Sequence, residues 1–404
     1  MTTTAPAPIE TGTRTGHFVL AVLALAMGGF AIGTTEFVTM GLLPQIADGV
    51  DTSIPVAGHV ISAYALGVVV GAPVLAFFGA KWPRRGLLVA LMLAYAVFNA
   101  ASALATDYHL LFAARFLAGL PHGAYFGVAS LVAASMAPTG RKGRAVAMVM
   151  LGLSVANVVG VPAATWLGQH LGWRSAYWAV AALALLTVAM VVAYVPSCPG
   201  DPEATGRREL KAFSKPQVWL TLLAGAIGFG GMFAVYSYIS PTLTEVGGLS
   251  ESSVPVALFV FGLGMVAGTW VAGELADWSI YRALLIGSVG MGGVLLLFWA
   301  LAPHGWWSLL PVFLITVLGS VLVVNLQLRL MDVAGDAQTL GAAMNHASLN
   351  VANALGAWLG GLVIAAGHGY RAPALVGVAL SVGGLLVILA SAAVHVRTSV
   401  ASRS

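Results

Sequence analysis

Apolar and polar positions along this chain alternate in long blocks: twelve apolar runs are separated by short polar breaks. Each run is about long enough to cross a bilayer as a helix. The pattern predicts spans at 17–43, 54–79, 84–105, 108–135, 144–168, 173–195, 217–243, 253–276, 281–302, 306–330, 338–366 and 371–395. The longest break falls between the sixth and seventh. It divides the chain into a disordered tail (1–16), a first six-helix bundle (17–195), a linker (196–216), a second six-helix bundle (217–395) and a closing tail (396–404). A membrane barrel would show alternating segments of about ten residues, whereas continuous runs satisfy their backbone groups as helices. The expected fold class is an all-α membrane protein with twelve transmembrane helices.

Composition removes the soluble alternative. With 59% hydrophobic and 8% charged residues and a mean hydropathy of +0.93, the chain is far outside the range of water-soluble domains. Its one cysteine, Cys198, leaves no intrachain disulfide and no cysteine cluster for a metal. The net charge of +4 is spread over short breaks rather than one basic face, which argues against nucleic acid. One alternating set of connections, with both ends of the chain, holds 15 of the 18 Lys and Arg residues. The opposite set holds Arg174 and Arg371, and Arg115 lies inside a span. The positive-inside rule therefore places both termini in the cytoplasm of a multi-pass plasma (cytoplasmic) membrane protein.

The two halves repeat each other at an offset of 196 to 197 residues: Pro44 with Pro241, Gly67 with Gly264, Gly71 with Gly268, and Arg174 with Arg371. The strings ending in Gly160 and Gly356 also align, matching Asn157 with Asn353. A parallel duplication of six helices is the sequence mark of carriers whose halves rock about a central site.

Candidate chemistry sits on a few buried polar residues. Glu36 is the one carboxylate well inside a first-half span, and burying such a charge costs at least about 2.5 to 3.5 kcal/mol on insertion scales. Counting from Pro44, and for Arg115 from Tyr108, puts both about 10 to 12 Å below the outer surface. They are expected to line the first-half cavity and to interact directly or through a polar relay. Low polarity and a neighbouring guanidinium pull the protonation of Glu36 in opposite directions, which lets access and partner decide its charge. The alternative is a static pair that only holds helices together. His122 lies two turns after Arg115 on nearly the same face; it binds substrate, relays protons, or bonds a backbone group freed by Pro121. His346, Asn350 and Asn353 draw a polar stripe on the eleventh span, with His346 and Asn350 assigned to the cavity and Asn353, like Asn157, to packing. Phe30, Phe37, Tyr64, Tyr125, Tyr236 and Tyr238 are available as an aromatic lining for an apolar ligand. Glu274, at the inner end of the eighth span, is given no transport chemistry.

These features resemble the major facilitator superfamily over about 17–395. The loop after the second span carries Ala76, Ala80, Lys81, Pro83, Arg84 and Arg85 where the family has its Gly-x-x-x-Asp-Arg/Lys-x-Gly-Arg-Arg/Lys motif, so the Gly and Asp are absent. The second-half copy has Gly273, Leu275, Ala276 and Asp277 followed by Arg282. In the family this segment latches the cytoplasmic side. Arg115 with Gly119 resembles the Arg-x-x-x-Gly element of helix four. Gly152, Asn157, Gly160, Val161 and Pro162 resemble the helix-five signature of drug:proton antiporters. The strings at Gly33–Phe37, Met40–Pro44, Gly119–Gly127 and Asn350–Gly361 are similar to the arabinose-efflux-permease-like branch of twelve-helix exporters.

No P-loop, dinucleotide fingerprint or nucleophile elbow stands out, and no loop is long enough for a soluble catalytic domain, so an enzyme or an ATP-driven pump is not expected. The resemblance implies a monomeric carrier with no cofactor beyond the proton gradient and no metal. Its partners are protons, the lipid bilayer and a small molecule. The leading expectation is export of an amphipathic drug or sugar-like metabolite in exchange for protons. A proton-linked importer of a sugar or nucleoside is the second, and a non-transporting sensor the third.

Overall fold

In lipid the backbone must satisfy its own polar groups, and a computed structural model of the protein does so with helices. It describes residues 11–79, 81–137, 142–197, 214–334 and 338–401. Most of the expected linker, with Cys198, Arg207, Arg208 and Lys211, lies outside the described residues, as do Ala80, Arg141, Arg403 and 1–10. The first half contains α1 (Thr11–Gly41), α2 (Leu43–Gly49), α3 (Ile54–Gly79), α4 (Arg84–Leu104), α5 (Tyr108–Met136), α6 (Lys142–Val155), α7 (Val161–Leu171) and α8 (Arg174–Tyr194). The second contains α9 (Pro216–Gly228), α10 (Gly230–Tyr236), α11 (Val254–Trp278), α12 (Ile280–Leu301), α13 (Leu309–Ala334), α14 (Gln338–Val363) and α15 (Ala372–Ala401).

Among the described residues, eleven continuous helical stretches are apolar and long enough to cross a membrane, and one of them, Ile280–Val333, has 54 residues. At 1.5 Å per residue that is about 80 Å, more than twice a hydrocarbon core of about 30 Å. It breaks at His304 and Gly305, where φ/ψ leave the helical region. Twelve crossings result. α1 starts at Thr11 and α15 runs to Ala401, so helix extends past the expected boundaries at 17 and 395: backbone bonding continues where the apolar run has stopped. Exposed tryptophans mark both rims. Trp82, Trp219 and Trp278 sit near the face that carries the chain ends, and Trp166, Trp306 and Trp307 near the opposite face, as interfacial aromatic belts do.

The duplication is visible in packing. α3 crosses α5 so closely that a Cβ on Gly67 would meet the Phe116 carbonyl at 2.1 Å, and one on Gly71 would meet the Leu120 carbonyl at 2.1 Å. α11 crosses α13 the same way, with Gly264 against the Phe313 carbonyl and Gly268 against Val317. Phe313 and Val317 are the repeat-related positions of Phe116 and Leu120. Arg174 and Arg371 are likewise equivalent in action. Arg174 donates to the carbonyl of Ala105 (3.0 Å) while its guanidinium stacks on Trp173. Arg371 donates to the carbonyl of Trp299 (2.8 Å) while stacking on that same ring. Both cations complete carbonyl-rich helix ends.

Among the described residues, two spans are interrupted near their middle. The fifth passes through a π turn at Ala156–Gly160 just before Pro162, which cannot donate a backbone bond. The seventh bends between α9 and α10 at Phe229, within Gly228, Gly230 and Gly231, and again at Ser237 and Tyr238. Neither interruption was evident from periodicity.

The halves meet through α3 with α14 and through the fifth span with α11. Towards the face opposite the chain ends, Ser62 donates to the Ala354 carbonyl (3.0 Å) and Gln45 to a Glu251 carboxylate oxygen (2.9 Å). Gln169 donates to the Glu251 carbonyl (2.8 Å). Tyr238 donates to the Ala357 carbonyl (2.8 Å), and its hydroxyl fills the space above Gly58. This end of the interface is shut.

Candidate functional site

Glu36 sits on α1 and is 7% exposed. Among the described residues no cation reaches it at ion-pairing distance; the one ion pair there joins Arg329 to Asp332. Arg115, fully buried on α5, does not pair with Glu36 directly. It donates to Thr35, with Nη2 3.2 Å from the backbone oxygen and Nη1 3.4 Å from Oγ1. The guanidinium carbon lies 4.3 Å from the centre of the Tyr64 ring and 5.1 Å from that of Tyr177. Two aromatic faces and two oxygens of Thr35 hold the cation beside the residue that precedes Glu36. Of the two expected arrangements, the direct pair is not the one observed: the guanidinium is spent on Thr35, the residue before Glu36.

Around this pair runs a buried polar network. Thr35 Oγ1 donates to Asn99 Oδ1 (2.7 Å), and Asn99 Nδ2 donates to the Tyr95 carbonyl (2.9 Å). The Tyr64 and Tyr95 hydroxyls are 3.0 Å apart, and Tyr64 Oη is 3.1 Å from His122 Nδ1. His122 therefore bonds a tyrosine hydroxyl. Its ring packs edge-on to Phe126 at 5.5 Å, and Phe126 stacks on His346 of α14 at 5.9 Å. This carries aromatic contact from the first half into the second.

The second half contributes an apolar wall. Phe37 packs on Tyr236 (5.6 Å) and Phe233 (6.5 Å), and Tyr236 stacks on Phe261 at 3.8 Å. The Tyr236 hydroxyl is buried without a partner. Its ring borders a narrow gap lined by Met232, Ile239, Phe261, Val312 and Ile315. A buried, unpaired hydroxyl costs about 1 to 3 kcal/mol, so this group is available to a ligand atom.

Other expected residues are placed elsewhere. Tyr125 donates to the Leu25 carbonyl (2.9 Å) and fills the space above Gly28, locking α5 to α1 rather than facing the wall. Asn350 Nδ2 donates to the His346 carbonyl one turn back (3.0 Å) and its Oδ1 has no partner. Among the loop residues, Lys81, Gly273 and Asp277 are exposed. Arg84 and Arg85 are half-buried, and Arg85 donates to the Val192 carbonyl. Arg282 lies over the Trp278 ring at 4.6 Å rather than on Asp277. Gly160 packs on Thr34 and Phe30 of α1, next to Pro162. Residues not singled out from sequence are Thr35, Tyr95, Asn99, Phe126, Tyr177, Phe233 and Phe261. Tyr95 and Asn99 did carry a signal: polar groups four apart on one face of an otherwise apolar span.

Comparison with known proteins fits this architecture. The family model for the Major Facilitator Superfamily matches residues 25–348. The chain belongs to the major facilitator superfamily. It is 40% identical to the "Inner membrane transport protein YdhP" of Escherichia coli (strain K12), over 92% of this chain and 95% of that one. It is 36% identical to the "Chloramphenicol resistance protein" of Streptomyces lividans, over 83% of this chain and 87% of that one. The crystal structure of a D-xylose-proton symporter superposes with a TM-score of 0.72, covering 93% of this chain and 97% of that one, at 16% identity. That last likeness is one of fold. Within the superfamily this chain is a multi-pass membrane transporter, and the two halves described above are its six-helix repeats.

Proposed function

We propose that this major facilitator protein is a proton-coupled secondary carrier of the cytoplasmic membrane. It has both termini in the cytoplasm and exports a small amphipathic compound by alternating access. Glu36 is the proton site. It takes a proton when the cavity faces outward and loses it when the cavity faces inward, while Arg115 holds the adjoining turn of α1 through Thr35. The observation that carries this reading is a buried carboxylate without an ion-pair partner, one residue from an oxygen pair clasped by a buried guanidinium. A structural salt bridge would neutralise the acid; here it is left free to change charge.

The apolar wall of Phe233, Tyr236 and Phe261 supports a ligand with an apolar body and few polar groups over a sugar. A sugar needs a hydrogen-bond partner for nearly every hydroxyl it buries. The names of two relatives, an inner membrane transport protein and a chloramphenicol resistance protein, agree with membrane location and export. The test is probe-triggered proton movement in everted vesicles, with chloramphenicol, ethidium, arabinose and uridine applied to the wild type and to Glu36→Gln. Export predicts proton release from the acidified interior that requires both the probe and Glu36. Release unchanged in Glu36→Gln overturns the proton site, and probe-driven flux in the opposite sense identifies an importer.

A further inference from the structure

His122 is buried to 2% exposure and is held through Nδ1 by a hydroxyl that already contacts a second hydroxyl. The second hydroxyl, Tyr95 Oη, has another acceptor within reach, the Ile32 carbonyl at 3.4 Å. In a continuous helix the carbonyl of Ile32 is the backbone partner of the Glu36 N–H, four residues on. The chain His122–Tyr64–Tyr95–Ile32 thus ends on the turn that presents Glu36. Its second member, Tyr64, also supplies the ring on which Arg115 lies.

Such a chain has two polarities. With Nδ1 of His122 bare, Tyr95 donates to Tyr64 and Tyr64 donates to the imidazole. With a proton added from cavity water, Nδ1 becomes a donor. Tyr64 must then accept from it and turn its own proton to Tyr95, and Tyr95 turns its proton to the Ile32 carbonyl. One O–H of a hydronium ion breaks to leave water, one N–H forms on the imidazole, and the two tyrosine hydroxyls keep their protons and only rotate. The ionisable groups next to His122 are Tyr64 on α3 and His346 across the interface on α14, while Tyr95 on α4, Glu36 on α1 and Arg115 on its own helix surround Tyr64. Phe126 separates the two imidazole rings.

We propose that His122 is a positioning residue for the proton site, reporting its own protonation to the Glu36 turn by reversing the Tyr64–Tyr95 hydrogen-bond chain. This rests on Glu36 being the proton site. Half-buried His346, standing on the other half, gives His122 a neighbour that comes and goes as the halves rock. The chain therefore ties the state of the central interface to the acid.

The test is infrared titration of the Glu36 carboxyl band in nanodiscs holding the full chain, the band being assigned by its loss in Glu36→Gln. In His122→Gln the midpoint is expected to move by at least about half a pH unit, the scale on which members of one hydrogen-bond network couple. In Tyr64→Phe, which keeps the ring over Arg115 and so the packing, adding His122→Gln is expected to move it no further. A shift that persists in the Tyr64→Phe background means plain charge interaction and overturns the chain, as does an unmoved midpoint in His122→Gln. A Glu36 band that never titrates in the wild type overturns the proton site beneath it, a result distinct from either.

Discussion

The two halves share one frame and fill it with opposite chemistry. At the shift of 197 that aligns Gly67 with Gly264, Glu36 corresponds to Phe233, Tyr64 to Phe261 and Arg115 to Val312. The close helix crossings are the same in both. In the first half those positions carry an acid, a cation and the ring beneath it. In the second they carry the apolar wall, with Phe261 and Val312 beside the gap under Tyr236. A duplicated bundle has thus kept the small residues that let helices touch and divided the rest. At these three positions the first half holds charge, and the second presents apolar surface. Buried charge needs a fixed set of oxygens and rings around it, whereas an apolar wall needs only shape, so separating them lets one vary without disturbing the other.

The comparison breaks most severely at Arg115. Arg115→Met removes two hydrogen bonds to Thr35 and two ring contacts. Hydrogen bonds to a charged group are worth about 1.5 to 3 kcal/mol, so transport is expected to fall roughly a hundredfold, with a lowered melting temperature. Arg115→Lys should not rescue it, because an ammonium cannot bridge Thr35 while lying flat between Tyr64 and Tyr177. Rates near wild type in Arg115→Lys would mean that the charge alone matters.

The shared frame is tested by Gly67→Val and Gly264→Val. Each side chain would collide with a backbone carbonyl of the neighbouring helix, and overpacking of this kind costs about 1 to 3 kcal/mol. Equal losses of folded yield are expected. A large loss in one half alone would show that the crossings are not equivalent.

Much of the frame was legible in the sequence. Twelve apolar runs, the Gly67/Gly264 and Gly71/Gly268 matches and the Arg174/Arg371 pair all reappear as crossings and caps. These depend on residue size and local sequence. Partner identity was not legible. Depth counting put Glu36 and Arg115 on one level, but a helix presents three or four residues per turn, and the guanidinium went to Thr35. The wall was half seen. Phe37 and Tyr236 were picked out, while Phe233 and Phe261 were not, since an aromatic residue in an apolar span has no distinguishing neighbours in sequence. The breaks around Phe229 and at Ala156–Gly160 answer to tertiary packing, which periodicity does not record.

Specificity should follow the second half. Phe233→Ala is expected to shift relative rates between chloramphenicol and ethidium by about tenfold or more, the usual value of a lost apolar contact. The dependence of rate on the pH gradient should stay unchanged. A changed pH dependence would put Phe233 in the coupling machinery and erase the division of labour.

The smallest effect lies at the rim. Asp107 caps α5 by accepting from the N–H groups of His109 and Leu110 (2.9 and 3.0 Å), and the repeat-related position is His304, at a helix break. The Leu110 N–H first, with that of His109 adding to it, holds the Asp107 carboxyl below its usual value of 3.8. A depressed value means that the cap stabilises above the ordinary carboxylate range and is lost as pH falls through the folded-state value. Asp107→Ala should therefore lower the melting temperature slightly at pH 7, and the difference should close in strong acid. A difference that persists there would mean that the side chain acts by packing, not by charge.

The proposed division between a coupling half and a recognising half is tested most directly by comparing two transport modes of Glu36→Gln in reconstituted vesicles, with chloramphenicol as probe. The variant is expected to exchange labelled for unlabelled probe at a rate near wild type while losing uptake driven by a pH gradient. Loss of both modes would place Glu36 in ligand recognition, and retention of gradient-driven uptake would remove the proton from the first half altogether.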